Sequence, residues 1–186
     1  MDILDKIIKG CVNNDNKAKE NLYKMFSSKL YPVCLRYTKN TEDAKDVMQE
    51  GFIKILQKIE QYKGFGSFEG WLKRIMINCA LEKYRNMHYV NEYDDAYNHK
   101  ESLIDSSVTD KLTEEELLSL IQELPTKYRL VFNMYAIEGY NHKEIAEILN
   151  ISEGTSKSNL SRARGILQKK LMNISRIAEK RTVTLQ

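Results

Sequence analysis

Short polar and basic side chains are concentrated in one segment near the carboxyl end of this 186-residue chain. The segment GTSKSNLSRARGIL occupies residues 154–167. Serine and asparagine can hydrogen-bond to base edges in a DNA groove, whereas lysine and arginine bind phosphates. The chemistry that this pattern favours is therefore the binding of duplex DNA. We expect base contacts from Ser158, Asn159 and Ser161, and phosphate contacts mainly from Lys157, Arg162 and Arg164.

The residues before and within this segment predict a helix-turn-helix. In NHKEIAEILNIS, Asn141 and Glu144 have the spacing of a capping box at the start of a short helix. Ile151 can fill a tight turn, and Ser152 can cap a second helix. The residues expected to face the core are Ile145, Ala146, Ile148, Leu149, Leu160, Ala163, Leu167 and Leu171. Such a motif places its second helix in the major groove, but an ordinary helical hairpin with a basic solvent face remains an alternative.

A second segment, YKGFGSFEGWLKRI at residues 62–75, combines aromatic rings, glycines and cations. Aromatic rings beside a basic groove suit unstacked bases, and each stacked base contributes about 1–3 kcal/mol. Glycine permits sharp turns and a close approach of the backbone to a base. Tyr62 and Phe65 are expected to be exposed, whereas Phe68 and Trp71 are expected in the core. The cations expected to hold a strand are Lys63, Lys73, Arg74, Lys83 and Arg85.

Apolar residues at helical spacing predict the elements that position the second segment, within residues 3 to about 87. Pro32 predicts a local kink in the first stripe, which consists of Leu22, Phe26, Leu30, Val33 and Tyr37. Thr41 can cap the next helix, whose stripe consists of Ala44, Val47, Met48, Phe52, Ile55 and Ile59. Its opposite, polar face is expected to carry Asp46, Gln49, Glu50 and Lys54. A further helix follows the aromatic segment.

The chain is expected to be all-α, with two small helical domains. Residues 90 to about 112 lose helical periodicity and concentrate Asp, Glu, Asn and Ser, which is typical of a tether. Thr113 and Glu116 predict a capping box beyond it, and Pro125 and Gly139 predict the ends of two helices. The predicted boundaries are 1–89 for the first domain, 90–112 for a flexible acidic linker, 113–178 for the second domain and 179–186 for a tail.

Composition and charge exclude several classes of protein. A net charge of only +3 means that affinity for nucleic acid must come from local patches. Cys11, Cys34 and Cys79 are widely spaced and lack metal-ligand spacing, so we expect reduced thiols in a cytoplasmic protein. We expect neither a signal peptide nor a membrane span, which requires roughly 20 apolar residues. No cofactor is expected.

Taken in order, these motifs resemble the extracytoplasmic-function (ECF) branch of bacterial RNA polymerase sigma factors. The first domain resembles sigma region 2 in DAKDVMQEGFIKI, in GSFEGWLKRI, and in Asn78, Glu82 and Arg85. The second domain resembles sigma region 4 in LPTKYRLVF, the Gly139 turn, EIAEILNIS, GTSKS and LSRARGIL. The resemblance covers nearly the whole chain.

This resemblance implies a sigma factor that binds core RNA polymerase, recognises two elements of promoter DNA and assists promoter opening without catalysing a reaction. It implies that Asp46, Gln49 and Glu50 dock on the clamp helices of the largest polymerase subunit. Region 4 would read the −35 element and meet the flap of the second subunit. An anti-sigma factor is a further expected partner. The residues expected at the −10 element are Tyr62, Lys63, Phe65, Lys73, Arg74, Asn78 and Arg85, with a flipped base captured by the loop at 62–68.

Several residues depart from the pattern of the family. Ser156 stands where an apolar residue is usual, which predicts a weaker contact between the recognition helix and the core. Asn159 stands where arginine is common, and Ile77 stands where a basic residue is frequent. Glu82 replaces the usual aspartate. These departures affect the expected promoter sequence and affinity.

Two other functions remain open at this point. A helix-turn-helix activator or repressor that binds DNA alone would explain residues 141–171, but it leaves the polar face and the aromatic loop without a role. A helical metalloenzyme would use Asp43, Asp46, Glu50 and the histidines. However, His88, His99 and His142 are scattered and form no spaced pair with carboxylates on one helix face, which argues against this class.

Overall fold

The computed structural model describes residues 3–88 and 113–183, and within them every regular element is helical. The chain divides into two compact units, Met1–Tyr93 and Asp94–Gln186. The first contains α1 (Ile3–Val12), α2 (Asn16–Tyr37), α3 (Thr41–Lys58), a 3₁₀ turn (Ile59–Gln61) and α4 (Phe68–His88). The second contains α5 (Glu114–Gln122), α6 (Thr126–Phe132), a π-helical turn (Asn133–Ile137), α7 (His142–Leu149) and α8 (Glu153–Val183).

The core of the first unit lies where α2, α3 and α4 pack against one another. The stripes predicted for α2 and α3 are confirmed, since every residue in them is buried. Pro32 lies inside α2, which continues through it to Tyr37. From α4 the core receives Leu72, Met76, Ile77, Cys79, Ala80 and Leu81.

The three cysteines are free and buried in this unit. Burial raises the pKa of the Cys34 thiol to about 12 and also raises the pKa values of Cys11 and Cys79. Because the thiolate is the reactive form, these cysteines serve as small apolar core residues.

The second unit is built on α8, which packs against α5, α6 and α7. One cluster in its core consists of Leu120, Leu124, Tyr128, Ala163 and Leu167. The predicted capping box is present at the start of α5: the Glu116 amide donates to Thr113 Oγ1 at 3.2 Å, and the Thr113 amide donates to Glu116 Oε2 at 2.9 Å. Gly139 follows the π-helical turn with a left-handed φ of 79°, a conformation that favours glycine.

The predicted acidic linker, residues 90–112, lies outside the described residues. At the other end of the second unit, α8 extends to Val183, into the segment predicted as a tail.

Arg129 caps the end of α5 from within the core. It is only 2% exposed, and its Nη1 donates to the carbonyl oxygens of Gln122 at 2.9 Å and Leu124 at 3.2 Å. The carbonyl oxygens at the end of a helix have no amide donor in a following turn, so a side-chain donor placed there stabilises the end of α5. The guanidinium therefore fixes the corner between α5 and α6.

Replacing Arg129 with methionine is expected to lower the free energy of local opening around α5 and α6 by about 2 kcal/mol, because charge-assisted hydrogen bonds to buried carbonyls are lost. Hydrogen exchange of the full chain measures this directly, since two units make a single global unfolding value ill-defined. Lys143→Met, at an exposed lysine of α7, is the control. Unchanged protection in the Arg129 variant would contradict the capping role.

Candidate functional site

One exposed stripe of α3 carries the residues expected to dock on the polymerase. Asp46, Gln49 and Glu50 are all exposed. Ile53 lies on the same stripe, because positions three, four and seven residues apart share one side of a helix. Its side chain is 57% exposed. These four residues are called the docking face below.

Two lysines, one in α3 and one in α4, hold the carboxylates of the docking face. Lys83 of α4 contacts Asp43 at 2.7 Å and Asp46 at 3.1 Å. Lys54 contacts Glu50 at 2.8 Å and also pairs with Glu82 of α4. Hydrogen bonds to Glu50 and Glu82 raise the pKa of Lys54. Burial acts to lower the pKa of Lys83, but its hydrogen bonds to Asp43 and Asp46 outweigh burial and raise it.

Two details of this surface differ from the sequence expectations. Lys54, assigned to the exposed polar face, is half-buried and joins α3 to α4. Lys83, expected to hold a DNA strand, is also half-buried and faces the carboxylates of α3. Ile53 was missed, although an apolar residue within a polar helical stripe is a signal that the sequence contains.

The aromatic loop is anchored by a cluster of rings. Tyr62 packs against Phe68 at 4.9 Å and Trp71 at 5.6 Å between ring centroids. Its hydroxyl donates to the Gly66 carbonyl oxygen at 2.9 Å. Phe68 is buried, as expected, whereas Trp71 is half-buried. Tyr62, expected to be exposed, is half-buried because its ring packs against Phe68 and Trp71.

Phe65 projects from the tip of this loop and is 86% exposed. Gly64 and Gly66 flank it with left-handed φ values of 78° and 76°. Any other residue would be strained at those angles, so both glycines serve the turn. A large ring held in water by a fixed loop is available to stack on a partner.

Three of the predicted DNA contacts share one exposed stripe of α4. Arg74, Asn78 and Arg85 are exposed, and their spacing of four and seven residues places them on one side of the helix. Lys63 is exposed in the loop. Lys73 lies on another side of α4 and pairs with Glu69 at 2.9 Å. Hydrogen bonds from Lys73 and from Lys29 lower the pKa of Glu69.

The predicted helix-turn-helix is formed by α7 and α8. Asn141 Oδ1 accepts from the Glu144 amide at 2.9 Å, and Glu144 Oε2 accepts from the Asn141 amide at 2.8 Å, so the capping box is confirmed. Asn150 ends α7 in the left-handed region with φ 53°. Ser152 Oγ accepts from the Thr155 amide at 2.9 Å at the start of α8.

The outer side of α8 carries a narrow basic and polar stripe. Lys157, Ser158 and Arg164 are exposed, and Ser161 is half-buried at its centre. The Ser158 hydroxyl donates to the Thr155 carbonyl oxygen at 3.0 Å, within its own helix. These four residues are called the recognition face below.

Two residues expected on this face lie elsewhere. Asn159, expected to be exposed, is only 6% exposed. Arg162 is half-buried, and its Nη1 donates to the Tyr128 hydroxyl at 3.3 Å. The reason is that α8 packs against both α6 and α7, so residues on those sides are covered. The expectation of exposure is wrong for Asn159.

The metal-site alternative has little support in the described parts of the chain. There, no group of three or more His, Cys, Asp or Glu residues is placed to hold a metal ion. Asp46 and Glu50 already pair with lysines, which would repel a cation. His99 and the side chain of His88 lie outside the described residues.

Among the helices of residues 3–88 and 113–183, none is both long enough and apolar enough to cross a bilayer.

Two family models match the chain. Sigma-70 region 2 matches residues 22–88, and Sigma-70 region 4 matches residues 114–167. The first match covers the docking face and the aromatic loop, and the second covers the helix-turn-helix. Together they define a transcription initiation factor of the sigma-70 class, which is not an enzyme.

Curated relatives specify the branch. The ECF RNA polymerase sigma factor SigW of Bacillus subtilis is 30% identical over 184 residues, covering 92% of this chain and 98% of SigW. The ECF RNA polymerase sigma-E factor of Haemophilus influenzae is 29% identical, covering 84% and 89%. The chain belongs to the ECF RNA polymerase sigma factors. It directs core RNA polymerase to promoters in transcription initiation.

A solved structure supports the fold. It contains the sigma factor RpoE of Bartonella quintana in complex with the anti-sigma factor NepR. The TM-score is 0.50 at 19% identity, and the alignment covers 83% of this chain and 96% of that one. A stand-alone helix-turn-helix regulator is not favoured, because the region 2 match accounts for the first unit.

Proposed function

We propose that the docking face binds the clamp helices of the largest subunit of core RNA polymerase. An exposed isoleucine at one end of a row of carboxylates and an amide offers the apolar contact of a protein interface, and the polar groups beside it form a rim. Lys54 and Lys83 hold the carboxylates of this rim, which reduces the conformational freedom lost on docking. The 57% exposure of Ile53 in this setting is the observation that carries the proposal.

The aromatic loop and the α4 stripe are proposed to act at the −10 element. Phe65 would stack on a base flipped from the non-template strand, and Lys63, Arg74 and Arg85 would hold its phosphates. Asn78 offers an amide between the two arginines of the stripe. Extracting a base costs a few kcal/mol, so a ring already held in position favours promoter opening. In this arrangement Tyr62 supports the loop. Lys73 pairs with Glu69 at the start of α4 and is not proposed to contact the DNA directly.

The recognition face is proposed to bind the −35 element in the major groove. Lys157 and Arg164 would contact phosphates, while Ser158 and Ser161 would contact base edges. Asn159 is left out of this set because it is buried, and Arg162 because it faces Tyr128. Contact of the second unit with the polymerase flap belongs to the same proposal.

Replacing Lys157 with alanine in the holoenzyme is expected to weaken promoter binding about fivefold on every sequence and to reduce the salt slope by about one. Ser158→Ala and Ser161→Ala are instead expected to change sequence preference while leaving the salt slope unchanged. Binding titrations on promoter variants at several salt concentrations separate the two behaviours. Lys6→Ala, at an exposed lysine of α1, is the control. Identical effects from the lysine and serine variants would contradict these roles.

The proposed setting is the bacterial cytoplasm, where core polymerase and promoters are found. An anti-sigma factor is proposed as a further partner, since the structural neighbour of Bartonella quintana is a complex with one. Co-purification from cells, with polymerase and anti-sigma factor identified by mass spectrometry, tests both partners. Recovery of neither partner would contradict the proposal.

A further inference from the structure

We propose that Tyr135, His142 and Ser156 form a positioning cluster that fixes the recognition helix and orients Arg164 towards the DNA backbone. The three residues come from the π-helical turn, the first turn of α7 and the first turns of α8. The inference rests on the proposed function of the recognition face and adds residues that do not themselves contact DNA.

Ser156 supplies a polar contact inside the helix-turn-helix. It is 0% exposed, and its Oγ shares a hydrogen bond of 2.9 Å with His142 Nδ1. An apolar residue at this position would pack in any of several closely spaced arrangements, whereas a buried hydrogen bond requires one geometry. The pair therefore fixes the start of α8 relative to the start of α7.

Tyr135 holds the other side of the histidine. The two rings are stacked, with centroids 4.5 Å apart and planes inclined by 21°. His142 is thus held by a hydrogen bond at its edge and by an aromatic face. This arrangement ties the π-helical turn, α7 and α8 together through one imidazole.

Arg164 completes the connection from the recognition face. Its guanidinium carbon lies 5.8 Å from the centroid of the Tyr135 ring, within the range of a cation–π contact. Arg164 is exposed and lies one heptad after Lys157 on the recognition face. Because Tyr135 limits its rotamers, Arg164 loses less conformational freedom when it binds a phosphate. Tyr135 is therefore a positioning residue for a DNA contact.

A double-mutant cycle tests the hydrogen bond without DNA. His142→Phe keeps the stacking on Tyr135 but leaves the buried Ser156 hydroxyl unsatisfied, and Ser156→Val leaves the imidazole nitrogen unsatisfied. Each single variant is expected to speed hydrogen exchange in α7 and the first turns of α8 about tenfold. The double variant H142F/S156V is expected within about threefold of the unchanged chain, because both partners are then apolar. Additive effects would overturn the pair as a positioning contact.

Promoter binding by the holoenzyme tests the role of Tyr135. Tyr135→Ala and Arg164→Ala are each expected to weaken binding about fivefold and to reduce the salt slope by about one, and the double variant is expected to lose no more than Arg164→Ala alone. A reduced slope for Arg164→Ala but not for Tyr135→Ala would overturn the inference and leave the proposed function intact. An unchanged slope for both Lys157→Ala and Arg164→Ala would overturn both.

Discussion

Replacing Ile53 with aspartate is expected to weaken binding of the chain to core RNA polymerase about hundredfold, equivalent to about 2.7 kcal/mol. The substitution removes the exposed apolar side chain of the docking face and places an unpaired charge in the interface. Because Ile53 is already 57% exposed, the change has little effect on the fold. The affinity is measured by titrating labelled chain with core polymerase.

Two further variants sharpen this test. Met25→Asp changes an exposed apolar residue of α2 outside the docking face and is expected to bind normally. Asp46→Asn with Glu50→Gln removes two charges but leaves Lys83 paired with Asp43 and Lys54 paired with Glu82. This double variant is expected to bind core polymerase about tenfold more weakly, and its binding is expected to depend less on salt. Normal binding by the Ile53 variant would contradict the proposed interface.

Replacing Phe65 with alanine is expected to lower the equilibrium constant for promoter opening by about tenfold to hundredfold, because base–aromatic stacking contributes about 1–3 kcal/mol. The effect is expected in opening and not in the first binding of closed duplex, since duplex DNA offers no free base. Fluorescence of a base analogue near the start site measures the opening directly.

A template change provides the control for Phe65. Promoters are prepared with a single abasic site at successive positions of the non-template strand. At one of these positions, the unchanged chain and the Phe65→Ala variant are expected to open the promoter equally well. That position identifies the captured base. Tyr62→Phe, which removes only the hydrogen bond to Gly66, is expected to show a smaller loss. An opening defect that persists equally on every abasic template would contradict stacking by Phe65.

The helical stripes of α2 and α3 could be predicted from sequence because a buried face repeats with the period of the helix. The same periodicity places Asp46, Gln49 and Glu50 on the opposite side of α3. It does not reveal that Lys54 and Lys83 reach between helices to pair with carboxylates, because such pairs depend on how α3 and α4 pack. Tertiary contacts between distant residues carry no local signal.

The positions on α8 show a second limit of the sequence. Hydrophobicity alone assigns polar residues to the solvent, so Asn159 and Arg162 were expected outside. In the structure α8 is covered on two sides, so Asn159 is buried and Arg162 donates to the Tyr128 hydroxyl. Ser156 shows a related effect: it stands where an apolar residue is usual in the family, and its buried hydroxyl bonds to His142, a contact that the expected weakening did not include.

Ile77 is explained by burial in a similar way. The resemblance placed it where a basic residue is frequent, yet here it is buried in the first unit. A cation at this position would have to reorient α4 or remain unpaired in the core. The cations of α4 that we propose to face DNA are therefore Arg74 and Arg85, which are both exposed.

We propose that the two units contact different promoter elements when the chain is bound to core polymerase. The most direct test of this proposal is to map transcript starts with reconstituted holoenzyme and then exchange bases singly upstream of a mapped start. We predict that Phe65→Ala removes the response to exchanges near the start, whereas S158A/S161A removes the response to exchanges in a separate element farther upstream. Loss of response to the same element in both variants, or to neither, would contradict the account.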